Sequence, residues 1–140
     1  MSPPLNIVKV YERSPRSALK IFSVLSHADG NISSHQMEAL TEIYKTQFQL
    51  YEQSRNITIY LRALPEVTYA RMVRRGRAEE IGTVSLKKVA RLSSLHDKEF
   101  LNSESTFVID ETDDCVCINS KAVRIIETIK PLVKNRCKHF

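Results

Sequence analysis

Between Arg74 and Gly82 the chain reads "RRGRAEEIG". Three arginines and two glutamates fall within nine residues, with a glycine on each side of the carboxylates. Arg71 lies one helical turn earlier, so four arginines stand between positions 71 and 77. Arginine stays charged at neutral pH and its planar fork binds pairs of oxygens, which suits phosphate. A carboxylate such as Glu80 can accept a hydrogen bond from a sugar hydroxyl if it stays ionised, and neighbouring arginines favour that state. Two plainer arrangements fit the same composition: an ion-paired, solvated helix face and a nucleic-acid patch. On charge alone the solvated face ranks first.

Other chemistry-bearing residues are scattered. Glu12 and Arg13 precede Ser14 in a Glu-Arg-Ser run, which taken alone is an ion pair at a helix start. His96 reads as a packing or capping group. Cys115, Cys117 and Cys137 are too few and too oddly spaced for a disulfide framework, which implies a reducing compartment. Cys-x-Cys without a nearby histidine is a weak metal signal, and no metal site is expected in these residues.

The elements that must position these groups follow from periodicity and caps. "IVKVY", Ile7 to Tyr11, reads as a strand. Ser14 offers an N-cap with Pro15 at the first helical position. Ala18, Ile21, Phe22, Leu25 and Ala28 then recur at helical spacing up to Gly30. Ser33, with Gln36 placed for a capping box, opens a helix striped by Met37, Leu40, Tyr44, Phe48 and Tyr51. "ITIYL", Ile57 to Leu61, is the second strand, and a helix from Pro65 and Glu66 runs to about Gly76. Arg71 and Arg75, four apart, share a face of it. Gly76 allows the backbone to bend before Arg77. Leu86, Val89, Ala90 and Leu92 mark the next helix. "TFVID", Thr106 to Asp110, is the third strand, followed by an acidic loop to Asp114. Ala122, Ile125, Ile126, Ile129 and Val133 stripe the last helix, in which Pro131 stands near the end.

Strands separated by helices predict a parallel sheet with helices on its faces, an α/β fold. The chain has 140 residues, 42% hydrophobic, with no repeat or linker, and residues 1–140 read as a single domain. A net charge of +5 favours an anionic partner. No apolar run reaches the length of a bilayer span, and "MSPPLN" lacks the regions of a signal peptide. No membrane partner is expected.

Four stretches in this order and spacing resemble the deoxyribonucleoside kinase family of thymidine, deoxycytidine and deoxyguanosine kinases. They are "ERSPRSALKIF" (Glu12 to Phe22), "IYLRALPEVTYARMVRRGRAEE" (Ile59 to Glu80), "SLKKVARLSSLHDKEFL" (Ser85 to Leu101) and "FVIDETDDC" (Phe107 to Cys115). The resemblance covers about Ile7 to Leu132. It implies a P-loop-kinase-like parallel sheet and an ATP-dependent phosphoryl transfer, with magnesium, to a deoxynucleoside. Glu12 and Arg13 resemble the Glu-Arg of the family motif beside the substrate's 5′-hydroxyl. Arg71 stands where a family arginine points at the phosphates. Arg75 and Arg77 match the arginines of the lid that closes over the triphosphate, and Glu80 matches the glutamate that accepts from the 3′-hydroxyl. Arg13, Arg71, Arg75 and Arg77 are thus the implied catalytic set. Asp114 and Cys115 fall in the loop around adenine, where Cys115 departs from the family's usual aromatic or aliphatic residue. Ala18 stands where purine- and deoxycytidine-directed members tend to carry an aspartate. The Ser-Ala here resembles thymidine-accepting and broad-specificity members, which favours a pyrimidine, thymidine first. The resemblance sets nucleic acid aside as a partner. It implies a cytoplasmic protein, or a mitochondrial one if a longer N-terminus exists.

Part of the family pattern is missing. The three glycines, Gly30, Gly76 and Gly82, cannot form a G-x-x-x-x-G-K-[ST] phosphate loop. In the family that loop follows the first strand, and the catalytic carboxylate ends the second. The sequence therefore reads as the family's third strand onward, an incomplete sheet without the first two strands. The family's sheet order is 2-3-1-4-5, so the missing first strand would leave ladder edges unpaired. Three expectations follow: the isolated chain does not turn over, it is a homo-oligomer or depends on a partner segment, and a non-catalytic relative that binds nucleotide or protein is the alternative.

Overall fold

In the computed structural model, residues 10–53, 56–110 and 118–136 are described. Ser14 starts the first helix. Its hydroxyl accepts from the Ser17 backbone N–H at 3.1 Å, while the Ser14 N–H donates to the Ser17 hydroxyl at 3.2 Å. This reciprocal box, with Pro15 at the first position, starts α1 (Pro15–Ser17). The helix then widens into a π-helical stretch, Ala18–Ser23, before tightening into α2 (Val24–Ala28). The Ser23 hydroxyl donates to the Ala18 carbonyl, five residues back, at 3.1 Å.

Ile21 and Leu25 of the expected stripe are buried, Ile21 completely, and Phe22 is half-buried, while the ends of the stripe depart from it. Leu19 is buried, whereas Ala18 and Ala28 are exposed. Ordinary helical spacing had put Ala18 and Ala28 on the inner face; five-residue hydrogen-bond loops rotate the following side chains off that register. Ser33 and Gln36 form the expected capping box at the start of α3 (Ser34–Gln53), with bonds of 2.8 and 3.2 Å. On α3 only Tyr44 of the expected stripe is buried; Met37 and Phe48 are half-buried, Leu40 is exposed, and the Tyr51 side chain lies outside the described residues.

β1 (Thr58–Arg62) and β2 (Thr106–Asp110) pair in parallel, in register from Thr58 with Thr106 to Arg62 with Asp110. β1 begins and ends one residue later than the sequence pattern indicates. Parallel neighbours need a long crossover, and this one contains α4 (Pro65–Arg75) and α5 (Leu86–Phe100). Among the described residues the sheet has these two strands. Side-by-side pairing of the last two strands is what a 2-3-1-4-5 order requires.

The expected first strand is corrected at its end. Val10 and Tyr11 lie outside the sheet, with 82% and 68% of their surfaces exposed, and Ile7 to Lys9 lie outside the described residues. Apolar residues alone do not make a strand; each needs a paired ladder, and these two have none.

The chain divides into two units, Arg13–Thr112 and Met1–Glu12 with Asp113–Phe140. In the first, Leu19, Ile21, Leu25, Tyr44, Val89 and Ile109 form the buried core, and α5 packs on both α4 and the π-helical stretch. Of the apolar positions expected on α5, Val89 is buried, Leu92 half-buried, and Leu86 and Ala90 exposed. In the second unit, α6 (Ile118–Arg136) contains Pro131. Its Ile125 and Ile129 are half-buried and Ile126 is exposed, while the side chains of Ala122 and Val133 lie outside the described residues.

Candidate active site

α4 delivers the arginines. Leu64 precedes Pro65, which takes the first helical position, and Gly76 closes the helix in the left-handed conformation at φ 73°. Arg74 and Arg75 occupy the last turn, where cations complement the negative end of the helix. The segment beyond is a run of turns. The N–H groups of Glu80 and Ile81 both donate to the Arg77 carbonyl, at 3.0 and 3.2 Å, and Thr83 and Val84 donate to Glu80. Gly82, at φ 80°, is the second left-handed glycine of the segment.

This folding brings three predicted site residues together. Arg75 Nη2 donates to both carboxylate oxygens of Glu80 at 2.6 Å. Arg77 Nη1 lies 3.9 Å from Glu80 Oε1. The hydrogen bond from Arg75 holds the Glu80 carboxyl below its ordinary pKa, and the same bond raises that of Arg75. Arg71 is half-buried one turn before Arg75 on α4. The opening charge cluster is therefore an ion-paired turn in this structure. It also forms a short flap between two left-handed glycines, Gly76 and Gly82.

Arg13 is placed differently. Its guanidinium carbon lies 4.9 Å from the centroid of Phe22 in the π-helical stretch, a cation–π contact. Phe22 meets His96 edge-on at 5.9 Å, and His96 stacks on Tyr60 of β1 at 6.0 Å with 17° between the rings. Phe100 completes the cluster, 5.6 Å from Tyr60 and 6.1 Å from His96. His96 Nδ1–H donates to the Leu92 carbonyl at 2.7 Å, which fixes the ring as a packing group, as expected. Ala18 is exposed within the same π-helical stretch. Glu12 is exposed and belongs to the other unit. Asp114 and Cys115 lie outside the described residues.

The sequence pattern missed the bracing of this cluster. Asp97 accepts from Tyr60 Oη at 2.9 Å and takes Arg62 on both oxygens, Nε to Oδ1 and Nη2 to Oδ2, each at 2.9 Å. Hydrogen bonding to Arg62 holds the Asp97 carboxyl low. Burial first, and the bond to Asp97 second, push the Tyr60 hydroxyl well above its ordinary value, so it stays a donor. The other faces of α5 hold the N-terminal helices: Glu99 pairs with Arg16, and Asp29 sits between Arg91 at 2.6 Å and Lys88 at 3.6 Å. α5 thus ties β1 to the helices that carry Phe22, and Phe22 to Arg13. Tyr60 and Arg62 alternate along the strand and so share one face, a signal present in the sequence. Nothing in their spacing points to Asp97.

Arg71, Arg75 and Arg77 lie on one helix end and the turn after it. Among the described residues there is no cluster of three His, Cys, Asp or Glu side chains able to hold a metal ion. No described helix is long and apolar enough to cross a membrane.

The sequence model of the family described as deoxynucleoside kinase matches residues 4–134. The chain belongs to the deoxynucleoside kinase family. It is also similar to "Putative kinase protein 029R" of Invertebrate iridescent virus 3, with 25% identity over 125 residues, 89% of this chain and 62% of that protein. The chain thus spans less than two thirds of the length of this relative.

Proposed function

We propose that this chain carries the nucleoside- and phosphate-facing part of an ATP-dependent deoxynucleoside 5′-kinase that favours a pyrimidine, thymidine first. Residues 1–140 are read as one such domain. In the reaction the 5′-hydroxyl oxygen attacks the γ-phosphorus of ATP, the bond from that phosphorus to the bridging oxygen breaks, and ADP leaves. Catalysis of this kind is mostly positioning and charge stabilisation. Arg75 and Arg77, with Arg71 behind them, hold the phosphates and offset the charge that spreads over the transferring oxygens; magnesium, when bound, offsets more of it. Glu80 accepts from the 3′-hydroxyl. Glu12 and Arg13 stand at the 5′-hydroxyl, and exposed Ala18 leaves room for a thymine methyl. Asp114 and Cys115 are assigned to the adenine loop. The 5′-hydroxyl proton goes to a general base, a role not assigned to any of these residues.

The observation that carries this reading is the convergence of Arg75, Arg77 and Glu80 between two left-handed glycines. ATP at millimolar concentration is expected to protect residues 71–82 from trypsin, which cleaves after their arginines. Equal protection by nucleic acid that weakens steeply with salt would replace the reading with a nucleic-acid patch. With the phosphate site filled, thymidine is expected to bind more tightly than its 3′-deoxy analogue, and Glu80→Ala to erase the difference.

A second reading is a non-catalytic relative that binds nucleotide through the same Arg75, Arg77 and Glu80 cluster. Under either reading the chain alone transfers no γ-phosphate to thymidine. Exposure of Leu61 and Val108 on the two strands supports the proposal that it works as an oligomer or with a partner segment. The two readings separate when a phosphate-loop portion of a related kinase is added as a second chain. Thymidine phosphorylation that depends on Arg13 and Glu80 supports the kinase.

A further inference from the structure

Arg75 and Glu80, assigned to two different ligands, hold each other. A single guanidinium nitrogen, Arg75 Nη2, serves both carboxylate oxygens at 2.6 Å. This is not the parallel two-nitrogen fork that makes arginine–carboxylate pairs strong. It leaves the other donors of Arg75 unused by Glu80 on a side chain that is half exposed. An incoming oxyanion can therefore engage Arg75 before the carboxylate leaves. A polyphosphate brings several negative charges where Glu80 brings one, so it is the stronger competitor for the same cation.

The backbone permits the exchange. Gly76 and Gly82 bracket the pair in left-handed conformations, and a Cβ at either would meet nothing within 4 Å. The glycines are thus required for backbone angle and not for space, and they are the two positions at which the backbone of the flap turns most freely. Within the flap, Glu80 and Ile81 are bonded to the Arg77 carbonyl, so Glu80 and Arg77 move together.

We propose that the Arg75–Glu80 pair is a latch coupling two ligand sites: polyphosphate at Arg75 displaces Glu80, and only the released carboxylate is available to the sugar hydroxyl. This rests on the kinase reading given above. Coupling of this sort is reciprocal, so phosphate raises the affinity for nucleoside and nucleoside raises that for phosphate.

The test titrates the full chain with inorganic tripolyphosphate by calorimetry, comparing wild type, Glu80→Gln and Glu79→Gln. The two variants make the same charge change one residue apart, but Glu80 alone pairs with Arg75. Glu80→Gln is expected to bind tripolyphosphate about three- to fivefold more tightly, and Glu79→Gln to differ from wild type by less than about twofold. Thymidine affinity is expected to rise with saturating tripolyphosphate in wild type and to be indifferent to it in Glu80→Gln. Equal effects in the two variants overturn the latch and leave a phosphate-binding flap standing. Failure of all three proteins to bind tripolyphosphate overturns both the latch and the kinase reading of the flap.

Discussion

Two arginine–carboxylate pairs in this chain have nearly the same chemistry and opposite uses. Arg62 and Asp97 stand 35 residues apart, on β1 and α5, and meet through two nitrogens and two oxygens. Tyr60 adds a third bond to the same carboxylate, and its ring is stacked on His96 and meets Phe100 at a tilt. Arg75 and Glu80 stand five residues apart and meet through one nitrogen, between two left-handed glycines. The first pair links a strand to a helix and shares its carboxylate with Tyr60. The second opens by rotating a short flap. Bracing, not the identity of the ions, makes one pair part of the framework and the other exchangeable.

Asp97→Asn should break the comparison from the framework side with the largest effect. It removes one charge that serves three bonds, at a cost of about 1–2 kcal/mol, placed in the lower part of the range for charged hydrogen bonds because the site is partly solvated. Thermal melting checks it. Because the folded pKa of Asp97 lies below the unfolded value, its contribution is complete above the ordinary aspartate pKa of about 3.9. It is lost as pH falls through the lowered value. The gap in melting temperature between wild type and variant should close in that acid window; a gap independent of pH would assign the loss to packing instead.

Gly76→Ala comes next, at about 1 kcal/mol. The residue must keep a φ of 73° to end α4 and turn the flap, and a Cβ strains that conformation without meeting any neighbour. Its melting temperature should fall while the helical circular dichroism stays. Smallest of all, Glu80→Gln should leave the melting temperature within error of wild type, since an exposed pair of near neighbours adds little to stability. A clear fall would mean that the flap is framework too.

Local signals made much of this legible. Ser14 with Pro15, Ser33 with Gln36, and Gly76 after an arginine-rich turn announce helix ends within a few residues, and those ends stand as read. The density of charge between Arg74 and Gly82 announced an ion-paired turn, and the fold has one. What stayed hidden depends on distance or on irregular geometry. The π-helical stretch inserts extra residues per turn, so Leu19 is buried where regular spacing had placed Ala18. Tyr60 and Asp97 lie 37 residues apart, and no periodicity links a strand residue to one helix position. Val10 and Tyr11 have the composition of a strand without a ladder to join.

The central claim is that the flap exchanges its internal pair for phosphate while the framework beneath Arg13 stays fixed. Amide hydrogen exchange of the full chain, with and without millimolar ATP, tests it most directly. Protection should change across residues 76–84 and stay unchanged across residues 58–62 and 92–100. Unchanged exchange in the flap, or an equal change in both regions, would contradict the account.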